Sequence, residues 1–313
     1  QLMMVDLKTS YLMLSCSSRS GAALAGSILN AHSKILFSTD KIKYFGFAKE
    51  RYPKINKNNI ENLLLEFQLR LKIRWNIDFD INKCRNLIGS QYDHDHLYRI
   101  FMKCIYNNNK NNMMLGECEN MSWMHVPFFL KKIPNSRAMT IIRDPRDVLY
   151  SFKKNTIAKK YDYLINVFNS KSLMQSSIKY QKKYNDNFYV IKYEVLKKDM
   201  IKEVKEICKF LNVKFEKNML EEKHWLELHG GGWKKWENLR VSSFYKKEKK
   251  ISNPVGRWVN NLDPIDQFIC EWLLKDEMKY FNYKINSDLK FDNDVFNKSL
   301  HRLMSSNLLR ESF

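Results

Sequence analysis

Met139-Thr140-Ile141-Ile142-Arg143-Asp144-Pro145-Arg146-Asp147-Val148-Leu149-Tyr150-Ser151 is an apolar run that breaks into charge at Arg143 and turns helical after Pro145. The apolar run predicts a short buried strand. Asp-Pro directly behind it supplies an N-cap and a first-turn proline, so a helix starts where the strand stops. A turn of this kind aims backbone N–H groups and a positive dipole end at one spot. Arg143 adds a planar fork suited to phosphate or carboxylate, and Ser151 adds a hydroxyl on the following helix. The segment fits an anion site. It equally fits a surface ion cluster in which Arg143 and Arg146 pair with Asp144 and Asp147.

A second turn of the same design lies near the N-terminus. Residues 11–16 are strand-like, Ser17-Ser18-Arg19-Ser20-Gly21 is a turn, and the stretch from Ala22 places Leu24, Ile28 and Leu29 on one helical face. Gly21 to Ser27 carries the glycine spacing of a Walker A loop, but Ser27 stands where that motif needs its lysine, which weakens a kinase-type reading. Further strands are predicted over residues 35–38, 113–116, 138–142 and 188–191. Their alternation with helices predicts an α/β fold: a central parallel sheet flanked by helices, with a P-loop-like phosphate turn. Residues 44–110 read as a helical insertion between the second and third strands, its strongest part being residues 59–75 with Leu63, Leu64, Phe67 and Leu71 on one face. A helix capped by Asp263-Pro264 is expected to bury Phe268, Trp272 and Leu273. No Pro/Gly/Ser linker divides the chain, so residues 1–291 are expected to form a single domain, followed by a tail or helix over residues 292–313. The Asn-rich patch of residues 107–112 reads as a solvated loop, and Gly230-Gly231-Gly232-Trp233 with Trp236 as a loop at the substrate entrance.

A composition of 44% hydrophobic residues with 13% aromatic excludes a disordered class for this 313-residue chain. The formal net charge of +20 invites a nucleic-acid partner, yet the lysines are spread over the chain and not gathered into one arm, so no specific nucleic acid is expected. Such a charge still concentrates anionic ligands near a cleft. The six cysteines, Cys16, Cys84, Cys104, Cys118, Cys208 and Cys270, show no CxxC or zinc spacing and read as buried reduced thiols, with no metal site. No apolar run reaches a membrane span, and Leu2, Met3, Met4 and Val5 are cut off by Asp6 too early for a signal-peptide core, so a cytoplasmic location is expected.

Five segments in order resemble the sulfotransferase family, whose donor is 3′-phosphoadenosine-5′-phosphosulfate. They are the turn at Arg19–Gly21, Gly116-Glu117-Cys118-Glu119-Asn120 with Trp123, the Arg143 to Ser151 segment, Tyr193-Glu194-Val195-Leu196, and Pro254-Val255-Gly256-Arg257-Trp258. The resemblance implies that Arg19, Ser20, Gly21, Ala22 and Ala23 wrap the 5′-phosphosulfate and that Arg143 and Ser151 hold the 3′-phosphate. It further implies that Tyr193 lies near the adenine and that Gly256, Arg257 and Trp258 close over the 3′-phosphate. Arg19 would follow the charge on the leaving oxygen. Two departures stand out. The family usually shows two hydroxyl residues after the glycine, where this chain has Ala22 and Ala23, and the stretch in which many members carry an acidic base reads Thr39-Asp40-Lys41. Asp40, Glu117 and His125 are the candidate bases. Glu117 shares a strand face with Glu119, and both could instead pair with Arg143 or Lys131; Asp40 could instead cap a helix beginning near Lys41. The expected function is sulfuryl transfer, without a metal, to a hydroxyl or amine on a small molecule, saccharide or lipid. A nucleotide-binding homologue with little turnover is the alternative, and a basic polyanion-binding protein a more remote one. Oligomeric state and acceptor identity are not encoded in any pattern legible here.

Overall fold

The computed structural model describes residues 9–107, 113–154, 163–225, 254–285 and 293–305. Five strands, β1 (Ser10–Cys16), β2 (Ile35–Thr39), β3 (Met114–Asn120), β4 (Ser136–Ile142) and β5 (Phe188–Lys192), form one sheet in the order β2-β3-β1-β4-β5. Every neighbouring pair is parallel. Parallel strands need long crossovers, and helices supply them. Helix α1 (Ala22–Asn30) joins β1 to β2, while α2 (Ile60–Trp75), α3 (Ile81–Ile88) and α4 (His94–Ile105) lie between β2 and β3. Helix α5 (Val126–Lys132) links β3 to β4, and α6 (Pro145–Lys153) with α7 (Ile165–Lys183) links β4 to β5. The chain continues through α8 (Tyr193–Lys198), α9 (Met200–Leu211), α10 (Pro264–Leu273), α11 (Lys275–Tyr280) and α12 (Asn293–Met304).

Strand alternation sends Tyr11 and Met13 to one face of the sheet and Leu12 and Leu14 to the other. The first face packs with Phe67, Tyr98 and Phe101 of the α2–α4 insertion and with Phe129 of α5. The second packs with Leu24 and Ile28 of α1 and with Val204 and Ile207 of α9. A third cluster joins Ile142 and Leu149 to Leu173, Ile269 and Met278, and so fastens α7, α10 and α11 beside the end of β4. Each fully buried side chain of this size stabilises the fold by about 1.5–3 kcal/mol.

The order of strands places a topological switch between β1 and β4, which are neighbours although the chain leaves them toward opposite edges of the sheet. Crevices at the carboxyl ends of such strand pairs are where open α/β sheets bind ligands. Both anion-type turns found in the sequence, after β1 and after β4, open into this one crevice.

Several expectations need adjustment. Strand β3 runs on to Asn120, taking in Glu117 and Glu119, because its partners β1 and β2 hold it in register past Gly116. Helix α2 turns Leu65, Leu69 and Ile73 outward, so its apolar content exceeds what its inner face can bury. Trp272 is 45% exposed, stacked on Phe268 with its edge toward Phe296, and Leu273 is only partly buried; Ile269 and Cys270 fill the core position instead. Gly26 sits within α1 as expected, and a Cβ there would meet Thr39 Oγ1 at 2.1 Å, so it permits close helix–strand packing. The C-terminal helix α12 is held to α10 by Arg302, which donates to Asp263 and Asp266. All six cysteines are buried and free of disulfides. Residues 2–5, 108–112 of the Asn-rich patch, and Gly230 to Trp236 lie outside the described residues.

Candidate active site

The turn after β1 is shaped by backbone: Arg19 adopts φ 68 and Gly21 φ 105, both left-handed. Helix α1 then begins with no side-chain cap and no acidic residue in its first turn. Its leading N–H groups and dipole are therefore uncompensated by the protein's own carboxylates, the arrangement an anionic ligand completes. Ala22 and Ala23 stand half-buried at this end. A Cβ on Gly21 would lie 2.3 Å from the Tyr193 ring, so glycine is needed for close approach as well as for its φ.

Arg143 closes the opposite side. Its Nη1 donates to the Arg19 carbonyl at 3.0 Å and its Nη2 to the Pro254 carbonyl at 2.5 Å. The guanidinium lies 4.6 Å from the centre of the Tyr193 ring, so that ring is sandwiched between Gly21 and Arg143. The Nε of Arg143 is buried with no hydrogen-bond partner among the described residues. Ser151, nearly two helix turns into α6, accepts from Arg19 Nε at 3.0 Å and thus meets Arg19, not Arg143. Residues 19–23, 143, 151, 193 and 256–258, gathered from five parts of the sequence, converge on the crevice.

The four charges of the ion-cluster alternative do pair, Arg146 with Asp144 and Arg143 with Asp147, but all are buried. Arg146 pairs with Asp144 at 2.7 Å and with Glu271 at 2.6 Å, buried and not at the surface, and its guanidinium lies 3.7 Å over the Trp258 ring. Asp144 also caps α6 by accepting from the Arg146 backbone N–H at 2.9 Å. Asp147, whose ion pair with Arg143 is long at 3.9 Å, also accepts from the backbone N–H groups of Gly256 and Trp258. Burial pushes the Asp147 carboxyl up from its ordinary range. Glu194, missed as a functional position, accepts from the Asp144 N–H at 2.8 Å and from the Tyr283 hydroxyl at 2.9 Å, tying the β4 turn to the end of β5. Its place directly after Tyr193 was the only signal in the sequence.

The three candidate bases separate. Asp40, at φ 57 beyond β2, is half-exposed and pairs with Lys43 at 2.8 Å. It caps no helix, because residues 41–43 are not helical. The Lys41 side chain is buried with its ammonium 5.8 Å from the Trp75 ring, while Arg70 donates to the carbonyls of Lys41 and Ile42. Glu117 and Glu119 pair with neither Arg143 nor Lys131: they accept from the N–H groups of Tyr44, Phe45 and Gly46 at 3.4, 3.2 and 2.6 Å. They cap a π-helical turn at residues Tyr44–Lys49 that has no other side-chain cap. Burial, with Glu119 second, pushes Glu117 well up, and burial pushes Glu119 up to about 7. His125 is half-buried, stacked on Phe45 and 3.2 Å from Glu50; burial lowers its pKa. No group of three or more metal-ligating side chains occurs among the described residues.

A parallel α/β protein with a candidate anion site at its switch point is the class that fold and site define. A family model described as the sulfotransferase family matches residues 13–217, and the chain belongs to that family. It is 30% identical to Sulfotransferase 2A6 of Rattus norvegicus over 156 residues, 44% of this chain and 53% of that protein, so the match spans about half the length of the relative. Among solved structures, the sulfotransferase domain from the curacin biosynthetic pathway superposes with a TM-score of 0.53 at 18% identity, covering 89% of this chain and 99% of that one. The sulfotransferase domain of the Synechococcus PCC 7002 olefin synthase superposes with a TM-score of 0.50 at 15% identity, covering 89% and 96%. These two likenesses concern the fold. Among the described residues no helix is long and apolar enough to cross a membrane.

Proposed function

We propose that the protein transfers a sulfuryl group from 3′-phosphoadenosine-5′-phosphosulfate to a hydroxyl or amine of a small-molecule, saccharide or lipid acceptor. The observation that carries this reading is the convergence of the uncapped α1 N-terminus, Arg19, Arg143, whose Nε has no partner among the described residues, Ser151 and Tyr193 on one crevice. The donor supplies the sulfuryl group and leaves as adenosine 3′,5′-bisphosphate: a bond forms between sulfur and the acceptor atom, the bond to the phosphate oxygen breaks, and the acceptor proton passes to a base. The N–H groups of residues 21–23 and the Arg19 guanidinium bind the 5′ end and offset charge on the phosphate oxygen. Arg143 and Ser151 serve the 3′-phosphate, the Tyr193 ring flanks the adenosine side, and residues 256–258 cover them.

Asp40 is the favoured base. It is half-exposed and held by Lys43, whereas Glu117 is buried beneath the π-turn and His125 faces Glu50. The absence of hydroxyls at Ala22 and Ala23 favours, as a second reading, a protein that binds the nucleotide with little turnover. The six buried free thiols support a reducing, cytoplasmic setting. Calorimetric titration with adenosine 3′,5′-bisphosphate, followed by sulfuryl transfer from the donor to a panel of alcohols, phenols and amines, tests both readings. Binding with transfer supports the first, binding without transfer the second, and no binding overturns both.

A further inference from the structure

Three side chains of the β4–α6 segment grip residues 254–258. Arg143 donates to the Pro254 carbonyl, Arg146 lies over the Trp258 ring, and Asp147 accepts from the N–H groups of Gly256 at 2.8 Å and Trp258 at 3.0 Å. Asp147 differs from its neighbours in that both of its oxygens are committed to backbone 109 and 111 residues downstream. An acid in the first turn of a helix is ordinarily a surface group that complements the dipole of its own helix. This one is 1% exposed and faces another part of the chain. Taking a carboxylate out of water is costly unless hydrogen bonds replace the lost hydration, and here the closing segment supplies them. Gly256, at φ 76, turns the chain so that N–H groups two residues apart meet one carboxylate.

We propose that Asp147 is a positioning residue whose carboxylate anchors residues 254–258 across the β1/β4 crevice, and that this anchor sets how long a nucleotide bound there stays. The residence-time clause rests on the nucleotide reading above; the anchoring is a property of the protein alone. Lifting the segment would strip Asp147 of two donors and Arg143 of the Pro254 carbonyl at once. That would leave a buried carboxylate whose one remaining partner among the described residues is Arg143, 3.9 Å away, so the segment opens as a unit and not by fraying. The same arginine that meets the nucleotide therefore senses whether the segment is closed.

Amide hydrogen exchange of the full chain tests the anchor without a ligand. In the wild-type protein the Gly256 and Trp258 amides should be protected. Asp147→Asn, which keeps the shape but presents an amide nitrogen to one donor, should speed their exchange by roughly tenfold or more, the scale of a hydrogen bond to a charged group. Amides of β4 should stay at wild-type protection. A role confined to the α6 dipole would loosen α6 amides and leave positions 256 and 258 unmoved, which overturns the anchor. Exchange of those two amides at the free-chain rate in the wild type also overturns it, and needs no variant to fold. The second arm is the dissociation rate of adenosine 3′,5′-bisphosphate, expected to rise about tenfold in Asp147→Asn. If the nucleotide binds and its dissociation is unchanged, the residence-time clause is overturned. If the wild type binds no nucleotide while the two amides respond to Asp147→Asn, the functional reading fails and the anchor stands.

Discussion

At Arg143 three features meet in one guanidinium: it spans the Arg19 and Pro254 carbonyls, lies over the Tyr193 ring, and has a buried Nε with no hydrogen-bond partner among the described residues. Arg143→Ala is expected to weaken adenosine 3′,5′-bisphosphate binding by about 1.5–3 kcal/mol, roughly ten- to hundredfold, as read by calorimetry. Unchanged affinity would remove Arg143 from the site. At the opposite lip, the double change Ala22→Thr and Ala23→Thr should tighten ligands that carry a 5′-phosphate relative to those that lack it, since each hydroxyl adds a donor beside the uncapped α1 terminus. Equal affinities for the two ligand sets would show that the turn does not hold the 5′ end. Asp40→Asn removes basicity while retaining size. Once an acceptor is known, turnover should fall about a hundred- to ten-thousandfold with donor affinity unchanged, and a loss under about tenfold would transfer the role to Glu117 or His125. The cation at Asp40 shows a limit of reading residues in a row: Lys41 is its neighbour in sequence, but the left-handed backbone at Asp40 and Lys43 swings Lys43 onto the carboxylate.

Among the elements, the two strand–turn–helix units were legible because proline, glycine and an N-cap aspartate act locally, within a few residues of where they stand. The π-helical turn at residues 44–49 was not legible, since the carboxylates that cap it come from β3, more than seventy residues along the chain. The burial of Glu119 beneath that turn, which outweighs the opposing effect of the capping N–H groups, carries a pH signature. Glu119 holds its proton up to about pH 7 in the folded protein, whereas an unfolded glutamate releases it near its ordinary value. Between those two values the folded state binds more protons, so its contribution to stability is present at low pH and is lost as pH rises toward 7. Wild-type unfolding free energy should therefore fall over that window more steeply than that of Glu119→Gln, by up to about 1.4 kcal/mol per pH unit. Parallel curves from denaturant titrations at several pH values would rule this out. Strand β3 offers a separate check at Gly116, where a Cβ would lie 2.8 Å from the Leu12 carbonyl and 2.7 Å from the Phe37 ring. Because the backbone of β1 cannot withdraw, Gly116→Ala should destabilise the protein by about 1–3 kcal/mol in the same titrations.

For the molecule as a whole, strand order decides where chemistry is possible. With β1 beside β4 and their crossovers leaving in opposite directions, both anion-type turns face one crevice, and residues 254–258 return from the far end of the chain to cover it. A ligand bridging these parts stabilises the folded state by mass action. Saturation with adenosine 3′,5′-bisphosphate at about a hundred times its dissociation constant should add about 2.7 kcal/mol to unfolding, visible as a raised melting temperature; no rise would count against a nucleotide site.

From the sequence alone came the alternation of strands and helices, the helical character of the segment between the second and third strands, and the two strand–turn–helix units that bring Arg19, Gly21 and Arg143 to one crevice as candidate anion-binding residues. All of these rest on short-range rules: hydrophobic period, turn chemistry and capping. Tertiary structure alone decided that Ser151 meets Arg19, that Tyr193 fills the space over Gly21, that Glu117 and Glu119 serve a backbone turn, and that Asp147 holds a segment from the other end of the chain. A carboxylate or guanidinium has the same local pattern whatever it will eventually touch. Its partner is set by which buried donors and acceptors the fold leaves needing one, and that need arises only when distant parts of the chain pack together.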